Sequence, residues 1–160
     1  MGDLDGRVAI VTGSGSGLGR SMAVKLAERG ADVIVNYSRS AEGAEETADM
    51  ARAHGAQMSV VQADVSDPEG AAKLVEAAQA RGRLDILMNN AGTTKMARDH
   101  SDLDALTKDD FLHLYAVNVV GPYLMLQAAK SLMVNTYEST GRASVVLNTS
   151  SIAGIKGVGS

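Results

Sequence analysis

The sequence contains no cysteine. That excludes disulfides, thiolate metal sites and cysteine nucleophiles, and it fits a reducing cytoplasm. Positive charge is not in excess either: 15 Lys and Arg stand against 19 Asp and Glu, a formal net charge of -4. A non-specific nucleic-acid binder would want a basic face, so that class is disfavoured. No uninterrupted apolar run approaches the roughly 18 residues of a membrane span, and the opening segment, residues 1–7, has no apolar signal core. His54, His100 and His113 are scattered without ligand spacing, so no metal site is expected and each is read as solvated or structural. What is there is ordinary globular composition, 45% hydrophobic and 21% charged, over 160 residues. That is enough for one domain with a core and too little for two ordinary ones.

Strand-like and helix-like segments alternate along the chain. Val8 to Val11 is a β-branched run, followed by a glycine cluster and a helical pattern with Leu18, Met22 and Leu26 on one face, closed by Gly30. Val33 to Val35 is the next strand, and the Ala- and Glu-rich stretch from Ala41 to Ala53 the next helix. Ser59 to Val61 follows, then Ser66 to Glu69, which reads as a capping box with an early proline and opens a helix presenting Leu74, Val75 and Ala78. Leu84 to Met88 and Ala143 to Leu147 are the fourth and fifth strands. Continuous apolar strands separated by helices predict a doubly wound parallel sheet covered on both faces, with residues 1–160 as a single domain.

The longest helical pattern runs from Thr107 to about Val134. Thr107 to Asp110 is its capping box, and Phe111, Leu114, Tyr115, Val119 and Leu126 keep helical spacing. Gly121 and Pro122 should bend it. Its apolar content exceeds what one sheet face needs, which a deeply packed core helix or burial against a partner would both explain.

The most specific signal is the segment Thr12–Gly19, with glycine at positions 13, 15, 17 and 19, directly between a strand and a helix. Gly13 permits the tight turn, Gly17 lets a pyrophosphate approach the backbone, and Gly19 allows close helix packing. Unpaired N–H groups and the positive helix end then favour phosphates. The spacing, Thr-Gly-x-x-x-Gly-x-Gly, resembles that of the classical short-chain dehydrogenase/reductase family, whose fold is a Rossmann sheet. Further matches follow in order: Asp64 and Val65 after the third strand, Asn89–Gly92 after the fourth, Asn118 in the long helix, and Ser150–Gly154 after the fifth.

The resemblance implies hydride transfer between a nicotinamide and a carbonyl or alcohol carbon, with a weaker likeness to 3-oxoacyl-thioester reductases. It implies cofactor contacts from Gly13, Ser14, Ser16, Gly17, Leu18 and Gly19, from Tyr37, Ser38 and Arg39, from Asp64 and Val65, and from Asn90, Ala91 and Gly92. Ser151 matches the serine that hydrogen-bonds the substrate oxygen, and Asn118 the asparagine of the proton relay. An NAD-preferring site usually has an acid where this sequence has Tyr37, and Arg39 is suited to pair with a 2′-phosphate, so NADP is expected over NAD. The expected partners are a small-molecule carbonyl or alcohol, neither nucleic acid nor membrane, and, for the full-length parent, further copies of itself.

The family's proton-transfer pair, Tyr-x-x-x-Lys, is not among these residues. Tyr37, Tyr115, Tyr123 and Tyr137 are followed four positions on by Ala41, Val119, Gln127 and Gly141. Family spacing would set the tyrosine about 13 residues after Ser151, which implies an N-terminal fragment truncated after the fifth strand. A non-catalytic dinucleotide-binding module, or one half of a split reductase, is the alternative; a methyl transferase using S-adenosylmethionine would want an acid at Tyr37 and has no use for Ser151. A polypeptide limited to these 160 residues is expected to show no appreciable carbonyl reduction and poor solubility, because Val145 to Leu147 would form an exposed apolar edge. Turnover of acetoacetyl or aryl ketone substrates by such a purified monomer would refute this.

Overall fold

The computed structural model describes residues 2–99 and 101–153. Its centre is β1 (Val8–Val11), buried along its whole length. Val8 and Ile10 face one core while Ala9 and Val11 face the other, as an extended strand covered on both sides requires. β1 is followed by α1 (Gly17–Glu28), β2 (Asp32–Tyr37), α2 (Ala41–Arg52), β3 (Met58–Gln62), α3 (Pro68–Gln79) and β4 (Ile86–Asn89). Next come α4 (Lys108–Tyr115), a π-helical turn over Ala116–Val120, α5 (Gly121–Thr140) and β5 (Val145–Asn148). The sheet order is β3-β2-β1-β4-β5, every pair parallel, which is the doubly wound arrangement expected.

Right-handed crossovers put successive helices on opposite faces once the chain returns past β1. Ala23, Leu26 and Ala27 of α1 pack with Ala44 and Ala51 of α2 on one face. Ala71, Leu74, Val75 and Ala78 of α3 pack with Met125 and Ala129 of α5 on the other. Alanine at these positions lets helix axes lie close to the sheet. Leu18, expected on the buried face of α1, is instead exposed.

The caps show which side chains set the helix starts. Thr107 and Asp110 form the capping box expected for α4, and Asp110 also accepts Lys95 Nζ at 2.7 Å. The Lys95 ammonium, helped by the Thr107 N–H and hydroxyl, pulls the Asp110 carboxyl down to about 2. At α3 the expectation is corrected: Asp67, not Ser66, is the N-cap, accepting from Glu69 N at 3.1 Å with Pro68 in the first helical position. The Ser66 hydroxyl lies one residue before the cap and donates to Asp64 at 2.7 Å.

The long helix is irregular, but its break lies at the π-helical turn before Gly121 rather than at Pro122 itself. Pro122 lies in the first turn of α5, where a missing donor matters least, and α5 runs on past Val134 to Thr140, ending at Gly141 with φ +67°. The apolar stripe is also corrected. Phe111, Tyr115, Val119 and Leu126 are exposed, and burial falls instead on Gly121, Met125, Ala129 and Thr136. β5 is exposed throughout, with Val145 at 52%, so the apolar edge expected there is present. Among the described residues no helix is long and apolar enough to cross a membrane.

Thr136 ties α5 to the sheet. Its hydroxyl accepts the Leu84 N–H at 2.9 Å and donates to the Leu132 carbonyl at 2.8 Å, in a site only 1% exposed. Thr136→Val keeps the shape and strands the Leu84 donor, so it should destabilise the protein by about 1–3 kcal/mol in chemical denaturation. An unchanged midpoint and slope would show that this hydrogen bond is dispensable.

Candidate functional site

The chain direction reverses about β1: it moves outward to β2 and β3, then crosses back to β4 and β5. Such a switch point opens a crevice beyond the carboxyl ends of the two central strands, the usual ligand site of open α/β sheets. Here the crevice is walled by the segment following β1 and the segment following β4.

Gly13 turns the chain out of β1 with φ +62°, and a Cβ there would stand 2.8 Å from Ala91 Cα. Gly19 is packed more tightly still: a Cβ would run into the Gly13 carbonyl and come within 2.5 Å of Asn90 Nδ2. Gly17, at φ +54°, has nothing within 4 Å of its missing side chain. Ser16 is the N-cap of α1 but its hydroxyl makes no capping bond. Among the described residues the N–H groups of Ser16, Gly17 and Leu18 have no acceptor, as the first turn of a helix leaves them, and all three residues are exposed. Ser14 is different: its side chain is fully buried, donating to the Val11 carbonyl at 2.7 Å and accepting the Asn36 N–H at 3.0 Å. Its hydroxyl serves the turn and not the crevice.

Thr12 joins the two walls. Its Oγ1 accepts the N–H groups of Asn90 and Ala91, each at 2.9 Å, and Asn90 Nδ2 returns to the Thr12 carbonyl at 3.0 Å. The segment after β4 is thereby bound to the glycine loop, and Ala91 and Gly92 are presented to the crevice.

Two cavities lie along it. The first, of 260 Å³, brings together Gly13, Ser38, Arg39, Asp64, Val65, Ala91 and Gly92. Tyr37 does not join them; it is half-buried against the core below α1 and α2. The Ser66 hydroxyl and N–H hold the Asp64 carboxyl below the usual range, with smaller help from His113 and Arg39. The second cavity, of 470 Å³, is lined by Asn90, Asn118, Ser150 and Ser151. Ala91, Gly92 and Thr93 line both, so the two cavities adjoin along this segment.

Asn118 sits in the π-helical turn, where its amide makes a reciprocal pair with the Thr93 backbone: Oδ1 accepts the N–H and Nδ2 donates to the carbonyl, both at 2.8 Å. Ser151 is exposed, its Oγ accepting the Ala153 N–H at 3.2 Å. Gly154 lies outside the described residues. Sequence reasoning missed Asn36, Thr93, His113 and Val117 in the cavity walls. His113 was read as solvated or structural, and a lone histidine on a helix carries no signal to the contrary. Asn36 did carry one: an amide inside a β-branched strand needs partners.

Fold and crevice together define a Rossmann-type α/β protein with two adjoining cavities at the switch point. The short chain dehydrogenase family profile matches residues 7–160, and the chain belongs to that family. It is 40% identical over 156 residues to versicolorin reductase 1 of Aspergillus parasiticus, covering 97% of this chain and 56% of that protein. A short chain dehydrogenase from Burkholderia cenocepacia, solved in complex with NADP, superposes with TM-score 0.83 at 33% identity over 98% of this chain and 60% of the other. The NAD+-bound structure of a xylitol dehydrogenase gives the same TM-score at 29% identity, over 98% of this chain and 57% of the other. The chain spans about half the length of the curated relatives it matches.

The glycines are separable by experiment. Gly19→Ala should lower the melting temperature sharply because backbone must move. Gly17→Ala should cost only about 1–2 kcal/mol of left-handed strain. If Gly17→Ala proved the more destabilising, this account of the loop packing would be wrong.

Proposed function

We propose that the chain forms the cofactor half of an NADP(H)-dependent reductase acting between nicotinamide and a carbonyl or alcohol carbon. The observation that carries this is the pair of adjoining cavities at the ends of β1 and β4, with loop N–H groups that have no acceptor among the described residues and with Ser151 lining the second cavity. The dinucleotide, when bound, supplies the hydride donor or acceptor carbon. In this reading the N–H groups of Ser16, Gly17 and Leu18, with the positive end of α1, take the pyrophosphate. Asp64 and Val65 border the adenine, and Asn90, Ala91 and Gly92 form the floor. Ser151 donates its hydroxyl to the substrate oxygen. Asn118 holds the Thr93 backbone in place beside it and lies where a proton relay would pass.

Preference for NADP rests on Arg39 and Ser38 in the first cavity, with a neutral Tyr37 at the end of β2 and therefore no carboxylate there to repel a 2′-phosphate. The parent is proposed to be a homo-oligomer, supported by the exposed Phe111, Tyr115 and Tyr123 on α4 and α5.

Arg39→Ala should weaken NADP(H) binding by about tenfold to a hundredfold and leave NAD(H) within about twofold, measured as dissociation constants by calorimetry. Tighter binding of NAD(H) than of NADP(H) by the unmodified protein would overturn the preference.

A further inference from the structure

Asn36 is the most heavily engaged polar side chain at the site. It lies in β2, between Val35 and Tyr37, and is 2% exposed. Both ends of its amide are used. Oδ1 accepts the Gly13 N–H at 2.9 Å. Nδ2 donates to the Ala63 carbonyl at 3.0 Å, with longer contacts to the Val61 carbonyl at 3.4 Å and the Tyr37 carbonyl at 3.3 Å. The backbone of the same residue is engaged with Ser14: its carbonyl accepts the Ser14 N–H at 2.9 Å, and its own N–H goes to Ser14 Oγ.

Two consequences follow from this pattern. The N–H groups of Gly13 and Ser14 are both taken by Asn36, while those of Ser16, Gly17 and Leu18 have no acceptor among the described residues. A ligand phosphate therefore meets the later donors, at the start of α1. The second consequence concerns width. Gly13 and Ala63 both line the first cavity, and a single amide bridges them, immediately before Asp64.

We propose that Asn36 is a positioning residue for the dinucleotide: its side chain locks the glycine loop to the end of β3, setting the separation of the phosphate donors from the adenosine wall. This rests on the dinucleotide-binding reading above. The amide is suited to the task because it is neutral and bifunctional. A carboxylate could still accept from Gly13 but would face three carbonyl oxygens with no proton to give them. A protonated carboxyl, which burial favours, restores the donor and so mimics the amide.

That difference supplies the test. Asn36→Ala and Asn36→Asp are made in the protein expressed from its full coding sequence, and NADP(H) and NAD(H) dissociation constants are measured alongside thermal melting. At about pH 7.5 both variants should bind the tighter of the two dinucleotides at least about tenfold more weakly than the unmodified protein. On going to about pH 5.5, Asn36→Asp should recover most of its loss relative to the unmodified protein at the same pH, while Asn36→Ala should not. Wild-type affinity in folded Asn36→Ala, or a deficit in Asn36→Asp that does not change with pH, would overturn the assignment. If Asn36→Ala fails to fold, the pH response of Asn36→Asp still decides it. Failure of the unmodified protein to bind either dinucleotide would sink the underlying functional reading as well, a result distinguishable from unaffected variants of a binding protein.

Discussion

The arrangement around the end of β1 depends on how the polar groups of one turn are satisfied. Where the chain leaves a fully buried strand at Thr12 and Gly13, several backbone donors and acceptors lose their ladder partners at once, and in a buried position each would be costly if left alone. Side chains from two other strands' ends complete them: Asn36 from β2 takes the Gly13 N–H, and Asn90 beyond β4 takes the Thr12 carbonyl. Thr12 then repays the second of these through the N–H groups of Asn90 and Ala91. The turn is thus defined by contacts some 23 and 78 residues away along the chain. It forms the mouth of the crevice, and the open donors follow directly after it.

A contrast runs through the rest of the molecule. The half built on β1, β2 and β3 has alanine-lined helix contacts, with Ala23 and Ala27 of α1 against Ala44 and Ala51 of α2. The half built on α4, α5 and β5 keeps apolar side chains in solvent, among them Phe111, Tyr115, Tyr123 and Val145. The second cavity lies against this open half, and Ser151 is exposed there.

Much of the fold was legible because it rests on local rules. β-branched runs bounded by glycine gave strands in the right order, and Thr107 with Asp110 announced α4 through a contact only three residues long. Where a local rule had a competitor at the next position it failed: Asp67, directly before Pro68, caps α3 in place of Ser66. The buried stripe of α5 was misread because helical spacing does not say which of two apolar faces meets the sheet. The π-helical turn shifts that phase between Tyr115 and Gly121, and no residue type announces it. Asn118 was singled out by its family match, yet its partner, the backbone of Thr93, is 25 residues away and could not be named from spacing.

The sequence by itself determined the parallel α/β architecture, the position of the glycine loop between strand and helix, and the family, since periodicity, glycine placement and motif order are all written along the chain. Only the tertiary structure decided which of those residues share a cavity. It separated Tyr37, turned into the core, from Arg39, left at the crevice, and it enlisted Asn36 and His113, which no motif had marked. The physical reason is that pairing and packing act between segments distant in sequence: a hydrogen bond from Asn36 to Gly13 or Ala63 exists only once β2 has been placed between β1 and β3.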